Sequence, residues 1–104
     1  MSPRSDRVRL DLNNPAFQEV LFALDKRHQR ALLATLRKLS AMPWNQVYHD
    51  PGLKWEAIVS REGPKGHRLY TLRIGKGFRA VAYRDGQWLR LLSLHPDHNS
   101  ASDK

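Results

Sequence analysis

Hydrophobic and polar positions alternate along this chain with two different periods. Val8, Leu10 and Leu12 alternate with Arg9 and Asp11, the period of a short edge strand. Phe17, Val20, Leu21 and Leu24 then fall at helical spacing and make one apolar stripe. Asn14 stands where an N-cap belongs, and Pro15 at the first helical position. Asp25 has the place of a second N-cap, and Leu32, Leu33, Leu36 and Leu39 carry the helical pattern onward. Two helices over about residues 15–24 and 26–41, joined so closely, form a helical hairpin. The outer face of the second is cationic, with Lys26, Arg27, Arg30, Arg37 and Lys38. Pro43 ends it, because proline cannot continue a helix and restricts Met42 before it.

Period two returns after the turn signal His49-Asp50-Pro51-Gly52. From Leu53 to Ser60, Trp55, Ala57 and Val59 share one face and Lys54, Glu56 and Ile58 the other. Glu62 to Gly66 reads as a loop. Arg68 to Tyr83 reads as a hairpin about Gly75-Lys76-Gly77, where glycine supplies the positive φ of a tight turn. Pairing Ile74 with Phe78 sets Leu72 opposite Ala80 and Tyr70 opposite Ala82 on one face. The other face then carries Thr71 with Val81, Leu69 with Tyr83, and Arg73 directly opposite Arg79. Asp85-Gly86 suits a second hairpin. With Arg84 opposite Gln87, Trp88 meets Tyr83, and Arg90 meets Val81 on the face of Arg73 and Arg79. The last strand runs from about Trp88 to Leu94, and the polar tail from Asn99 to Lys104 is expected to fray.

The resulting order is strand, helix, helix, then three strands in a meander, β-α-α-β-β-β. It predicts an α+β two-layer sandwich, an antiparallel sheet with the helical hairpin on one face. Phe17, Leu21, Leu24, Leu32, Leu36 and Leu39 are expected to pack on Tyr70, Leu72, Ala80, Ala82, Leu89 and Leu91. The other sheet face is left open and basic. Residues 1–104 read as a single domain with its core at about 8–98.

Charge changes this picture most. Eighteen Lys and Arg face ten Asp and Glu, a net charge of +8, and such a surface concentrates polyanions. With no cysteine there is no disulfide, no thiol nucleophile and no thiolate metal site. The apolar runs are too short to span a bilayer, and no apolar segment follows the N-terminus as a secretory signal requires. A cytoplasmic protein without a membrane partner is expected.

Like charges opposed across strands destabilise a sheet. A sequence that sets Arg73 against Arg79 on an open face is suited to holding an anion there. Metal-free RNA cleavage needs a base for the 2′-hydroxyl, a cation for the phosphorane and an acid for the 5′-oxygen. Histidine suits the proton steps, since its unperturbed pKa of about 6.5 lies near neutral pH. Arginine suits the phosphorane because its planar fork meets two oxygens. His95 and His98 leave the last strand beside the arginines, His49 and His67 flank the sheet, and His28 lies on the cationic helix face. A metal at His95-Pro96-Asp97-His98 is not expected, because Pro96 and an extended backbone spoil the shared ligand sphere; no cofactor is expected either. Trp44 and Trp55 read as core, whereas Trp88 paired with Tyr83 offers aromatic faces for bases.

The segment LYTLRIGKGFRAVAYRDGQWLRLLSLHPDH, the element order, the size and the basic balance resemble the RelE/ParE superfamily of bacterial toxins. The likeness covers roughly residues 8 to 98. Its most telling part is an arginine ending one strand, a short turn, an arginine opening the next, then a hydrophobic strand with tyrosine: Arg73, Arg79 and Tyr83. The resemblance implies the toxin of a type II toxin–antitoxin system, a metal-independent endoribonuclease cleaving mRNA free or on the ribosome. Its implied partners are a cognate antitoxin and RNA or the ribosome. Arg73 matches the arginine that lies against the scissile phosphate in nuclease members. Arg79 matches a strand-opening arginine that is partly structural, and His95 or His98 stands near the C-terminal acid or base. Lys54 and Glu56 occupy the strand where some members hold a catalytic lysine or glutamate. The usual C-terminal aromatic is missing, and no tyrosine follows Trp88. The superfamily also contains members that poison DNA gyrase and cut nothing, which is the alternative. The expected site is therefore Arg73, Arg79, His95 and His98 for catalysis, with Lys54, Arg90 and Trp88 for nucleic-acid binding. Oligomeric state is not specified by the sequence.

Overall fold

Both long helices start at their predicted caps. The structure, a computed structural model, describes residues 6–96. Helix α1 spans Pro15–Ala23, and the Asn14 side chain accepts the backbone N–H groups of Ala16 and Phe17. Helix α2 spans Lys26–Ser40, and Asp25 accepts the N–H of His28 at 2.8 Å. Each cap satisfies donors that the first helical turn leaves without partners. Pro43 ends this pair, but it also opens a short helix α3, Trp44–Val47, that the spacing of apolar residues does not predict.

The strands are β1 (Arg9–Asp11), β2 (Glu56–Glu62), β3 (Arg68–Gly75), β4 (Phe78–Asp85) and β5 (Trp88–His95), in the sheet order β1-β5-β4-β3-β2. Among the described residues four strands follow the helices, not three. An even number of meander strands leaves β5 antiparallel to β2 and running in the direction of β1. The β1–β5 pairing is accordingly parallel, and the sheet is mixed where an antiparallel one was predicted. Backbone bonds from Val8 to the Met42 carbonyl (3.0 Å) and from Arg9 to the Gln87 carbonyl (2.9 Å) hold β1 in that place.

The two-layer α+β arrangement is as predicted. Phe17, Leu32, Leu36 and Leu39 from the helices form one cluster with Leu72, Ala80, Ala82, Leu89, Leu91 and Leu94 from the sheet. Leu21, Leu24 and Tyr70 pack at its margin, half-buried. Full burial of one such leucine or phenylalanine contributes about 1.5–3 kcal/mol. Leu33 departs from the stripe and is 64% exposed. On the opposite sheet face a small cluster of Leu69, Val81 and Tyr83 is buried, with Ile58 and Leu92 beside it.

Strand register decides which side chains share that second face. Between β3 and β4 the five pairs from Leu69–Tyr83 to Arg73–Arg79 form as predicted. A bulge then brings Gly75, not Ile74, opposite Phe78, and Gly77 turns the chain with φ 69°. The second hairpin is displaced. Asp85 pairs with Trp88, so the turn is Gly86–Gln87 and not Asp85–Gly86. The Gln87 carbonyl accepts both the Arg9 N–H and the Trp44 Nε1–H at 2.9 Å, and these distant bonds fix it in the turn. Arg90 therefore lies opposite Tyr83, not Val81, and Trp88 opposite Asp85, not Tyr83. A two-residue shift keeps both on the same face but moves Arg90 about 7 Å along it.

A second irregularity matters more. Ala82 pairs with Leu91 but Val81 with Ser93, so Leu92 is an extra residue in β5. One extra residue reverses the facing of everything beyond it. An unbroken ladder would set Leu94 opposite Arg79 on the open face. With the bulge, Leu94 is buried in the core and His95 stands opposite Arg79.

Candidate nucleic-acid site

Lys54, Arg73, Gly75, Gly77 and Arg79 line a cleft of about 230 Å³ beside the β3–β4 turn. Arg73 and Arg79 reach it from directly opposed positions on β3 and β4, and Arg79 also donates to the Thr71 hydroxyl at 3.4 Å. Lys54 arrives from a separate segment that is tied down on both sides. The Asp50 carboxylate accepts the N–H groups of Gly52 (2.8 Å) and Leu53 (3.1 Å) and the Lys38 ammonium (3.2 Å). Burial pushes that carboxyl up, but Lys38 and the two N–H groups outweigh it and hold Asp50 below its ordinary range. The Leu53 carbonyl accepts the Arg73 N–H at 2.6 Å, and Leu53 and Trp55 are both buried. Between these anchors Lys54 takes a left-handed backbone, φ 48°, which is why β2 begins at Glu56 and not at Leu53. That conformation costs a non-glycine residue roughly 1–2 kcal/mol and persists only where the surroundings dictate it.

No carboxylate is among the cleft-lining residues, and among the described residues Lys54, Arg73 and Arg79 form no ion pair. Three uncompensated cations in one cleft repel each other and attract an anion. His95 stands across from Arg79 at the end of β5, with Nε2 3.0 Å from the Ser93 hydroxyl. His98 lies outside the described residues. The cleft thus gathers Lys54, Arg73 and Arg79, and His95 stands one strand away, opposite Arg79.

Arg90 and Trp88 lie elsewhere. They occupy the other end of the same face, opposite Tyr83 and Asp85, four and six residues along β4 and so about 13 and 20 Å from Arg79. The Arg90 guanidinium is 2.5 Å from Asp11 and 3.1 Å from Asp85, and the Asp11 and Asp85 hydrogen bonds raise its pKa further. The Asn13 N–H first, and Arg90 after it, hold the Asp11 carboxyl below the ordinary range. The Trp88 ring already carries two guanidiniums, Arg9 at 4.9 Å and Arg90 at 5.4 Å from its centre. His67 is at this end too, its ring 4.8 Å from that of Tyr83 and Nε2 3.9 Å from Asp85. His49 bonds to the Asn45 carbonyl of α3. Trp44 and Trp55 are buried as predicted, with Trp55 stacked on Tyr70 at 4.5 Å. Sequence pattern alone misses the left-handed Lys54 and the Leu92 bulge; the turn signal at Asp50 to Gly52 was the one local hint of the first.

No protein-family model and no curated protein matches the chain. Its fold does match solved structures. A chain in the archaeal RelE–RelB complex from Pyrococcus horikoshii OT3 superposes with a TM-score of 0.59 at 21% identity, over 88% of this chain and 94% of that one. A copper-bound mutant toxin from Helicobacter pylori gives a TM-score of 0.49 at 21% identity, over 89% of this chain and 97% of its own. The chain shares its fold with that chain of the RelE–RelB complex. No helix among the described residues is long and apolar enough to cross a membrane.

Proposed function

We propose that this chain acts as a single domain, the toxin of a type II toxin–antitoxin pair, cleaving mRNA in the cytoplasm without a metal, either free or on the ribosome. The observation that carries this reading is the uncompensated cleft. Lys54, Arg73 and Arg79 converge with no carboxylate among the lining residues, and His95 stands across from Arg79. In the reaction the 2′-oxygen attacks phosphorus and the bond to the 5′-oxygen breaks, leaving a 2′,3′-cyclic phosphate and a 5′-hydroxyl. Arg73 meets two phosphorane oxygens with its fork, Arg79 frames the other side, and Lys54 holds the backbone. His95 or His98 takes the 2′-hydroxyl proton or protonates the leaving 5′-oxygen. Arg90 and Trp88 drop out of the binding surface, since their charge and ring faces are already engaged. The RelE–RelB complex among the structural neighbours supports a cognate antitoxin, and the net charge of +8 suits an acidic segment of that partner.

One observation favours a second reading, a toxin that binds DNA gyrase, another protein or nucleic acid without cutting. His95 is the one imidazole beside the cleft among the described residues, whereas the reaction moves two protons. The test is cleavage of mRNA by antitoxin-free protein, with and without ribosomes. Cleavage ending in cyclic phosphate, with Arg73→Lys only partly active because lysine lacks the bidentate fork, supports the nuclease. A parent protein that never cleaves transfers the conclusion to the binding reading.

A further inference from the structure

The cationic cleft does not stop at the β3–β4 turn. Gly75 lines it, and Gly75 also lines a second cleft of about 310 Å³ together with Arg27, His28, Ala31, Lys76 and Phe78. A Cβ at Gly75 would sit 3.9 Å from both Ala31 and Phe78, so a larger side chain there would grow into the second cleft. Bare backbone keeps the two clefts continuous around the hairpin tip. Arg27 comes from the first turn of α2, and Lys76 from the tip itself.

No carboxylate lines the second cleft, and among the described residues neither Arg27 nor Lys76 is ion-paired. The neighbouring acid is Asp25, whose field does reach Arg27. Its carboxylate is committed to capping α2: it accepts the His28 N–H at 2.8 Å and lies 2.9 Å from His28 Nδ1. His28 is thereby held edge-on to Phe78, with ring centres 5.1 Å apart, as part of the wall.

We propose that this second cleft binds phosphate groups of the same single-stranded RNA that enters the first, so that the strand crosses the hairpin tip onto α2. The proposal rests on the RNA reading of the first cleft and gives the strand its direction. The other exit, along the open face towards Trp88, meets Arg90 with its charge cancelled by Asp11 and Asp85. Backbone phosphates follow uncompensated cations, and around the hairpin tip these continue across Lys76 to Arg27.

The experiment measures binding of 2′-O-methyl RNA, which has no attacking hydroxyl, as a function of salt. A trinucleotide fits the first cleft alone, whereas a decanucleotide spans both. The double variant Arg27→Ala with Lys76→Ala, both exposed positions, is checked for folding by circular dichroism and repeated as Arg27→Gln with Lys76→Gln. Each lost phosphate contact lowers the slope of log K against log salt by about 0.7 for a single strand. The double variant should therefore lose about 1.4 in slope on the decanucleotide and nothing on the trinucleotide, while Lys54→Ala weakens both. A parental slope on the decanucleotide, or an equal loss on both lengths, overturns the second cleft. A parent that binds the decanucleotide through Arg27 and Lys76 yet never cleaves unmodified RNA retains this site and loses the nuclease reading. A parent that binds neither oligonucleotide loses both.

Discussion

The open sheet face has two ends, and each holds arginines on opposed strands, yet they differ in chemistry. At one end Arg73 and Arg79 face each other with Lys54 and without a carboxylate among the lining residues. At the other, Arg90 is gripped between Asp11 and Asp85 and stacked on Trp88. The difference is made by chain topology. Asp11 is on β1, and only the parallel pairing of β1 with β5 brings it to Arg90. Beside Arg73, β2 begins to pair with β3 only at Glu56, opposite Thr71, and gives the cleft Lys54 just before; Glu56 does not line the cleft, and among the described residues it forms no ion pair with Arg73 or Arg79. An arginine on a strand becomes a structural tie or an anion ligand according to what the neighbouring strand carries.

Replacing His95 by Ala should break the comparison most severely. It removes the imidazole opposite Arg79 and leaves Leu94 in the core. The melting temperature should stay near that of the parent, and cleavage should drop by roughly 10²–10⁴, the usual share of a general acid or base. Retained activity would show that His95 has no part in the reaction.

Next in size is the matched pair Arg73→Ala and Arg90→Ala. Arg73→Ala should leave the melting temperature near that of the parent and lower the cleavage rate by roughly 10²–10³. Arg90→Ala should do the reverse, since it strands Asp11 and Asp85 together and removes nothing from the cleft. Similar rate losses in both would erase the distinction between the ends.

Asp11→Asn combined with Asp85→Asn sharpens it further. Freeing Arg90 should turn the quiet end into a phosphate ligand and steepen the salt dependence of single-stranded RNA binding by about 0.7. An unchanged slope would mean that Arg90 cannot reach the strand even when uncompensated.

The smallest effect is with pH. Asp11, Asp25 and Asp50 all have carboxyls held below their ordinary range in the folded chain. The unfolded chain then takes up protons at higher pH than the folded one. The stabilisation is complete above the unfolded carboxylate pKa of about 4 and is lost as pH falls through the lower folded values. Thermal melting should be flat above about pH 5 and decline below about pH 4, and Asp50→Asn should reduce that decline.

Much of this was legible in the chain. Asn14 and Asp25 announce their helices because a cap is a local interaction. The pairing of Arg73 with Arg79 follows from a short hairpin and the alternation of its flanks. The failures are all long-range. Asp85–Gly86 looks like the second turn, but Arg9 and Trp44 claim the Gln87 carbonyl and move it by a residue. The Leu92 bulge answers to the core's demand for Leu94. The left-handed Lys54 reflects two buried neighbours and the Asp50 carboxylate, none of which a period-two pattern encodes.

A crystal structure with a bound 2′-O-methyl oligonucleotide tests the central claim most directly. The account predicts a backbone phosphate between Arg73 and Arg79, with guanidinium nitrogens of both within about 3 Å of its oxygens. A phosphate held instead by Arg90 beside Trp88, with Arg73 and Arg79 untouched, would contradict it.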